Sequence, residues 1–352
     1  MAANPLIGVL YHWAGGLASA SFYVPYRGVK RWNWEIFWLT GGLFSWLVAP
    51  WFFAWIVTQD LFGILAQVPA HIVGLCVLFG FLWGFGGLTY GLTMRYLGLS
   101  LGMAVVLGLC TVFGTLIPPI FQGRLYDTLL ATSSGRFTLL GLAVTMLGIV
   151  IVALAGARKD AALSGAQKAA VIAEFDFRKG IAVAVFSGVM SACFAFGLTA
   201  GEPIKALSAA AGTGALWTGL PTLCLVMFGG LITNAIWCIA LIVRNRSAGQ
   251  WLGRGKERQV PLLANYLFCA LAGTLWYFQF FFYTMGESQM GRFGFSSWTI
   301  HMASIIIFGT IWGFSFNEWK DAAPRVRVTV AIGVGVLVLA TAIIGYGNKL
   351  AA

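Results

Sequence analysis

The chain has 352 residues, 59% of them hydrophobic and only 9% charged, with a mean hydropathy of +0.86. Soluble domains carry about 25% charged residues, so one water-surrounded globule is excluded. The net charge of +11 lies in short segments between apolar runs, a pattern of membrane topology and not of a nucleic-acid-binding face.

Apolar runs of roughly 20 residues cross a bilayer as helices, whereas barrel strands would alternate over about ten. The expected class is therefore all-α, a polytopic membrane protein. Ten spans are expected, at about 6–25, 36–58, 71–94, 99–120, 138–156, 181–200, 215–242, 262–284, 298–317 and 328–347. The first run has no Lys or Arg before Arg27. A signal peptide carries its positive charge first, so this run reads as a retained span with its N-terminus outside.

The segments after spans 1, 3, 5, 7 and 9 hold 17 of the 22 Lys and Arg residues. Those segments are expected in the cytoplasm and both termini outside. The longest polar segment, 158–180, separates a first half, 1–157, from a second, 181–352. Five spans per half makes the halves face opposite ways, the arrangement of inverted-repeat transporters. Short internal matches fall in the order that pairing of span n with span n+5 requires. Gly16–Phe22 (GLASASF) answers Gly188–Phe194 (GVMSACF), and Phe113–Leu116 (FGTL) answers Phe308–Ile311 (FGTI).

Span 3 carries Gly80, Gly84, Gly87 and Gly91, a small-residue ladder that lets helices approach closely. Trp83 and Tyr90 lie seven apart on the same face. They either pack that helix or line a cavity shared with span 8. Span 8 contains Trp276–Gly286, WYFQFFFYTMG. Trp276, Gln279, Phe280 and Tyr283 share one helical face, while Phe278, Phe282 and Met285 point toward lipid. An amide among aromatic rings either bonds a neighbouring helix or meets the hydroxyls of a sugar-like molecule.

No Asp or Glu falls at mid-span, which leaves histidine as the titratable group in the membrane. His71 sits at a span boundary after Pro69. His12 shares a face with Gly8, Gly15, Gly16 and Ser19, and His301 with Ser297, Trp298, Ser304 and Ile305. An intramembrane ionisable residue is a functional candidate by default, and imidazole changes charge between about pH 5 and 8. Each is thus either a hydrogen-bonded packing residue or a proton carrier. Asn234 reads as a packing residue. The six cysteines lie in apolar runs with no CxxC, as small packing residues do. Paired carboxylates, an HExxH and a P-loop are all missing from the spans, so neither an enzyme, a metal site nor a cofactor is expected.

Longer stretches are similar to one known family, the L-rhamnose–proton symporters of the drug/metabolite transporter superfamily. They are Tyr11–Trp13, Ser19–Glu35, Tyr90–Met103, Gly114–Ile120, Gly135–Gly141, Glu174–Gly180, Trp276–Gly286, Ser297–Met302 and Asn317–Trp319. The resemblance implies ten spans in a five-plus-five inverted repeat. It also implies uptake of L-rhamnose, or of L-lyxose or L-mannose, across a bacterial inner membrane with inward proton flow. His12, Trp276, Gln279 and His301 fall in matching stretches. Gly201–Lys205 and Glu287–Phe295 match less well. Trp276, Gln279, Tyr283, Trp83 and Tyr90 are then the expected sugar contacts, and His12 and His301 the expected proton carriers. Export or exchange of another small metabolite is the second reading. A non-transporting membrane sensor is the third.

Overall fold

The computed structural model describes residues 4–97, 99–162, 177–254, 260–317, 319–320 and 322–350. Most of the 158–180 linker, residues 163–176, therefore lies outside the described residues. Within them every regular element is helical. The principal helices are α1 (Pro5–Ser21), α2 (Trp34–Leu43), α3 (Ala49–Val57), α4 (Leu61–Gln67), α5 (Ala70–Leu97), α6 (Leu99–Phe121) and α7 (Ser133–Ala161). They are followed by α8 (Phe177–Ala200), α9 (Glu202–Ala210), α10 (Leu220–Asn245), α11 (Leu262–Ser288), α12 (Ser297–Ser315) and α13 (Pro324–Lys349).

Eight helical stretches are long and apolar enough to cross a membrane, counting Trp34–Val57 as one and joining α8 to α9. The chain is thus a multi-pass membrane protein. Helix α1 has 17 residues, and the described apolar part of α6 is Val105–Ile120.

Sequence punctuation accounts for the ends. The Asn4 side chain caps α1 by accepting from the N–H groups of Leu6 and Ile7. Asp60 caps α4 by accepting from Gly63 N–H. Prolines sit in the first turn of α9, α10 and α13, where the missing N–H costs nothing. Trp34–Val57 holds an internal irregularity. Residues Phe44–Val48 form a π-helical turn, closed by Ala49 N–H donating to the Phe44 carbonyl. Pro50 follows immediately. In a straight α-helix its ring would collide with the Trp46 carbonyl four residues back, and the wider turn relieves that clash.

Glycine decides which helices touch. A Cβ on Gly273 of α11 would collide with the carbonyl of Gly41 in α2, so these two backbones meet directly. Helix α1 packs on α11 and α12, and α8 packs on α5 and α6. Helix α2 packs on α11, and α10 on α5. The pairs α6–α12, α7–α13 and α2–α10 close the bundle. All six cysteines are buried and unbridged, as expected of packing residues.

Candidate functional site

The small-residue stripe of α1 does what its spacing suggests. Gly8, His12, Gly15, Gly16 and Ser19 are all buried, against α11 and α12. A Cβ on Gly15 would lie 2.8 Å from the Gln279 carbonyl oxygen and 3.0 Å from Cε1 of His301. One on Gly286 would lie 2.7 Å from the His12 ring. The glycines therefore make the space that two imidazoles fill.

His12 and His301 are fully buried, with ring centroids 6.0 Å apart. Tyr283 completes a triangle, 5.3 Å from each. Ser304 Oγ donates to the carbonyls at the base of the cluster, that of His12 at 2.9 Å and that of His301 at 2.7 Å. None of the four imidazole nitrogens has a hydrogen-bond partner among the described residues. Buried polar atoms are rarely left so. Such a group is met by an ordered water or ion, or serves a strained or catalytic role; Trp13 Nε1, Trp51 Nε1 and the Tyr277 hydroxyl are in the same position among the described residues. The surroundings are otherwise apolar or aromatic: Trp298 stacks near Phe194 and donates from Nε1 to the Cys110 carbonyl at 2.9 Å.

One helix connects this cluster to two cavities. On α11, Tyr283, Gln279 and Trp276 lie on successive turns of a single face. Gln279 is buried, and its amide donates to the Trp276 carbonyl at 3.1 Å. Below it, Trp276 forms one wall of a recess between α1, α2 and α11. The other walls are Phe22, Tyr26, Trp38, Ser45 and Trp46, with Gly42 and Gly273 beneath. The space between these walls is only about 10 Å³. Trp38 Nε1 is committed to Asn234 Oδ1 at 3.1 Å, and Asn234 donates to the Gly230 carbonyl. Trp46 Nε1, Trp276 Nε1 and Ser45 Oγ, by contrast, are buried without partners among the described residues.

Above the histidines a vestibule of about 470 Å³ opens between α9, the segment before α10 and the end of α11. Its charged wall is Lys205, whose Nζ lies 3.3 Å from a Glu287 carboxylate oxygen and 3.4 Å from one of Glu202.

The expected site residues divide. His12, His301, Tyr283 and Gln279 come together, and Trp276 continues their column. Trp83 stands apart from the histidines. Its ring is edge-on to Phe280 and tilted against Phe194. Tyr90 lies further along α5 in a separate cluster with Leu97, Val106 and Ala184. Gly80 meets the Val226 backbone and Gly84 meets Thr233, so half of the ladder packs α5 on α10. Gly87 and Gly91 face open space. Met285 was expected on the lipid face and is buried instead. The outer turns of α11 are wrapped by α1 and by the short helix Gly291–Ser296. Sequence reasoning missed Tyr26, Trp38, Ser45 and Trp46. The available signal was Pro50, which forecasts a local break just where a serine and a tryptophan precede it.

Comparison with known proteins now decides the family. A family model described as L-rhamnose-proton symport protein matches residues 1–350. The chain belongs to the L-rhamnose-proton symporter family. It is similar to an L-rhamnose-proton symporter of Yersinia pestis (strain Pestoides F), 37% identical over 345 residues, covering 97% of this chain and 98% of that protein. A second L-rhamnose-proton symporter, from Mannheimia succiniciproducens, is 35% identical over 348 residues, covering 99% of each.

Proposed function

We propose that this chain takes up L-rhamnose, or a close relative such as L-lyxose or L-mannose, across the bacterial inner membrane, driven by inward proton flow. The observation that carries the reading is the pair of buried histidines with four unpartnered ring nitrogens at the junction of α1, α11 and α12. Family membership supplies the sugar and the coupling ion.

The pair takes a proton from the vestibule side and releases it inward. Two positive charges 6.0 Å apart in apolar protein repel strongly, so the pair holds one proton at a time. Gln279 meets sugar hydroxyls, and the rings of Trp276 and Tyr283 stack on the sugar's apolar side. Trp83 and Tyr90 line the path on the α5 side, where Gly87 and Gly91 leave room.

Transport proceeds by alternating access between two inverted halves of five spans each, 1–157 and 181–352, joined by a cytoplasmic linker at 158–180, with both termini outside. The neighbour pattern supports the repeat. Pairing α1 with α8, Trp34–Val57 with α10, α5 with α11, α6 with α12 and α7 with α13 maps contacts onto contacts. The α1–α11 contact answers α8–α5, α1–α12 answers α8–α6, and α2–α11 answers α10–α5.

The test is a panel of radiolabelled sugars in proteoliposomes, with and without an inward proton gradient. L-rhamnose is expected to accumulate above its outside level and to lose that accumulation when a protonophore is added. Accumulation unchanged by the protonophore, or efflux of another metabolite without rhamnose uptake, overturns the reading.

A further inference from the structure

The π-helical turn at Phe44–Val48 re-aims two side chains. A π turn holds one residue more than an α turn, so Ser45 and Trp46 leave the face that a straight helix would give them. Both now border the recess beside Trp276. Gly42 permits this, since a Cβ there would collide with the Trp46 ring. Gly273 and Gly41 draw α11 against α2 at the same level.

The recess combines two kinds of surface. Phe22, Tyr26 and Trp38 present aromatic rings, with Phe22 only 4.4 Å from Trp276 between centroids. Three of the lining residues carry buried polar atoms without partners among the described residues, Ser45 Oγ, Trp46 Nε1 and Trp276 Nε1. An indole N–H is a donor only, and a serine hydroxyl gives or accepts. A ligand for this cradle offers hydroxyl or ring oxygens on one edge and C–H groups on a face. That is the chemistry of a pyranose, and a deoxy carbon suits the apolar wall better than a hydroxymethyl group. A carboxylate or phosphate is not matched, because the walls carry no cation. The recess is narrow here, with water-sized room of only about 10 Å³. Phe22 sits at the joint between α1 and the single turn Tyr23–Tyr26, its ring packed against Tyr23, Tyr26, Trp38 and Trp276, so a sugar enters only when that ring leaves the stack.

We infer that this recess, built by the π turn of Trp34–Val57, is a deoxysugar subsite, in which Ser45 and Trp46 determine specificity alongside Trp276. The inference deepens the proposed uptake reading and rests on it. It assigns sugar recognition to the second span, outside the residues that carry the proton.

The experiment measures initial rates of L-rhamnose uptake by the full chain in proteoliposomes under a fixed proton gradient, for wild type, Ser45→Ala, Ser45→Thr, Trp46→Phe and Trp276→Phe. Losing one buried hydrogen bond to the sugar raises KM by about tenfold. Ser45→Ala and the two Trp→Phe variants are expected to show that rise with little change in kcat, while Ser45→Thr keeps wild-type KM. Rhamnose analogues lacking one hydroxyl each then form a cycle with Ser45→Ala. For one analogue the variant is expected to show no further loss. The inference is overturned if wild type takes up rhamnose and all three donor-removing variants keep KM within about twofold. It is equally overturned if every analogue is penalised alike by Ser45→Ala. If wild type takes up no sugar under any gradient, the uptake reading itself fails, and the subsite with it.

Discussion

The two histidines are held by what is missing around them. Gly15 and Gly286 leave only enough space for the rings, with hypothetical Cβ atoms 3.0 and 2.7 Å from them. Neither ring can retreat, because the backbones of α1, α11 and α12 enclose both. Gly286→Ala therefore overpacks the cluster and is expected to destabilise the protein by about 1–3 kcal/mol, read as a lower melting temperature in detergent. His12→Gln and His301→Gln keep a polar group of similar reach but cannot carry a proton. Each is expected to abolish accumulation driven by a pH gradient while preserving exchange of labelled for unlabelled sugar at equilibrium. Full accumulation in both variants would remove the histidines from the coupling path.

Among the elements, the contact of α11 with Trp34–Val57 is one of two where backbone meets backbone most closely, the other being Gly80 of α5 against Val226 of α10. Gly273 faces the Gly41 carbonyl, and a backbone atom cannot rotate out of the way. Gly273→Ala is expected to separate the two helices and cost at least 1–3 kcal/mol, roughly the range for overpacking. Gly74→Ala is the control. Its added methyl meets nothing within 4 Å, and Ala favours a helix over Gly by about 0.5–1 kcal/mol, so the melting temperature should hold or rise. This level also separates what the chain's sequence makes legible from what it does not. Eight of the ten expected spans are legible among the described residues, because bilayer crossing demands a local, one-dimensional signal, an apolar run of fixed length. The face shared by His12, Gly8, Gly15, Gly16 and Ser19 is legible because α1 is regular, so a 3.6-residue period holds along it. Ser45 and Trp46 are hidden because the period fails at the π turn. The Tyr26 and Trp38 walls are hidden because helices far apart in sequence bring them together. Met285 was misplaced because period alone does not say which neighbours wrap a helix.

At the scale of the whole molecule, an uncharged sugar gains nothing from the membrane potential unless a proton travels with it. One charge across 100 mV is worth about 2.3 kcal/mol, which at tenfold per 1.4 kcal/mol limits accumulation to about fifty-fold with no pH gradient. Proteoliposomes clamped at that potential are expected to approach this ratio for a coupling of one proton per sugar, and clearly higher ratios would require a second proton. Topology has its own check: a reporter that works only in the cytoplasm, fused after residue 352, is expected to stay silent.

The π turn also makes Trp34–Val57 uneven in its tolerance of length changes. Removing one residue elsewhere in this span would rotate everything beyond it by about 100°, since an α-helix has 3.6 residues per turn. The faces that meet α10 and α11 would then no longer coincide. Removing one residue within Phe44–Val48, such as the exposed Leu47, takes away the surplus residue and keeps both flanking faces in phase. The span carries its own marked place for a one-codon deletion, where the flanking faces stay aligned while the turn that aims Ser45 and Trp46 is lost and the Pro50 ring again meets the carbonyl four residues back.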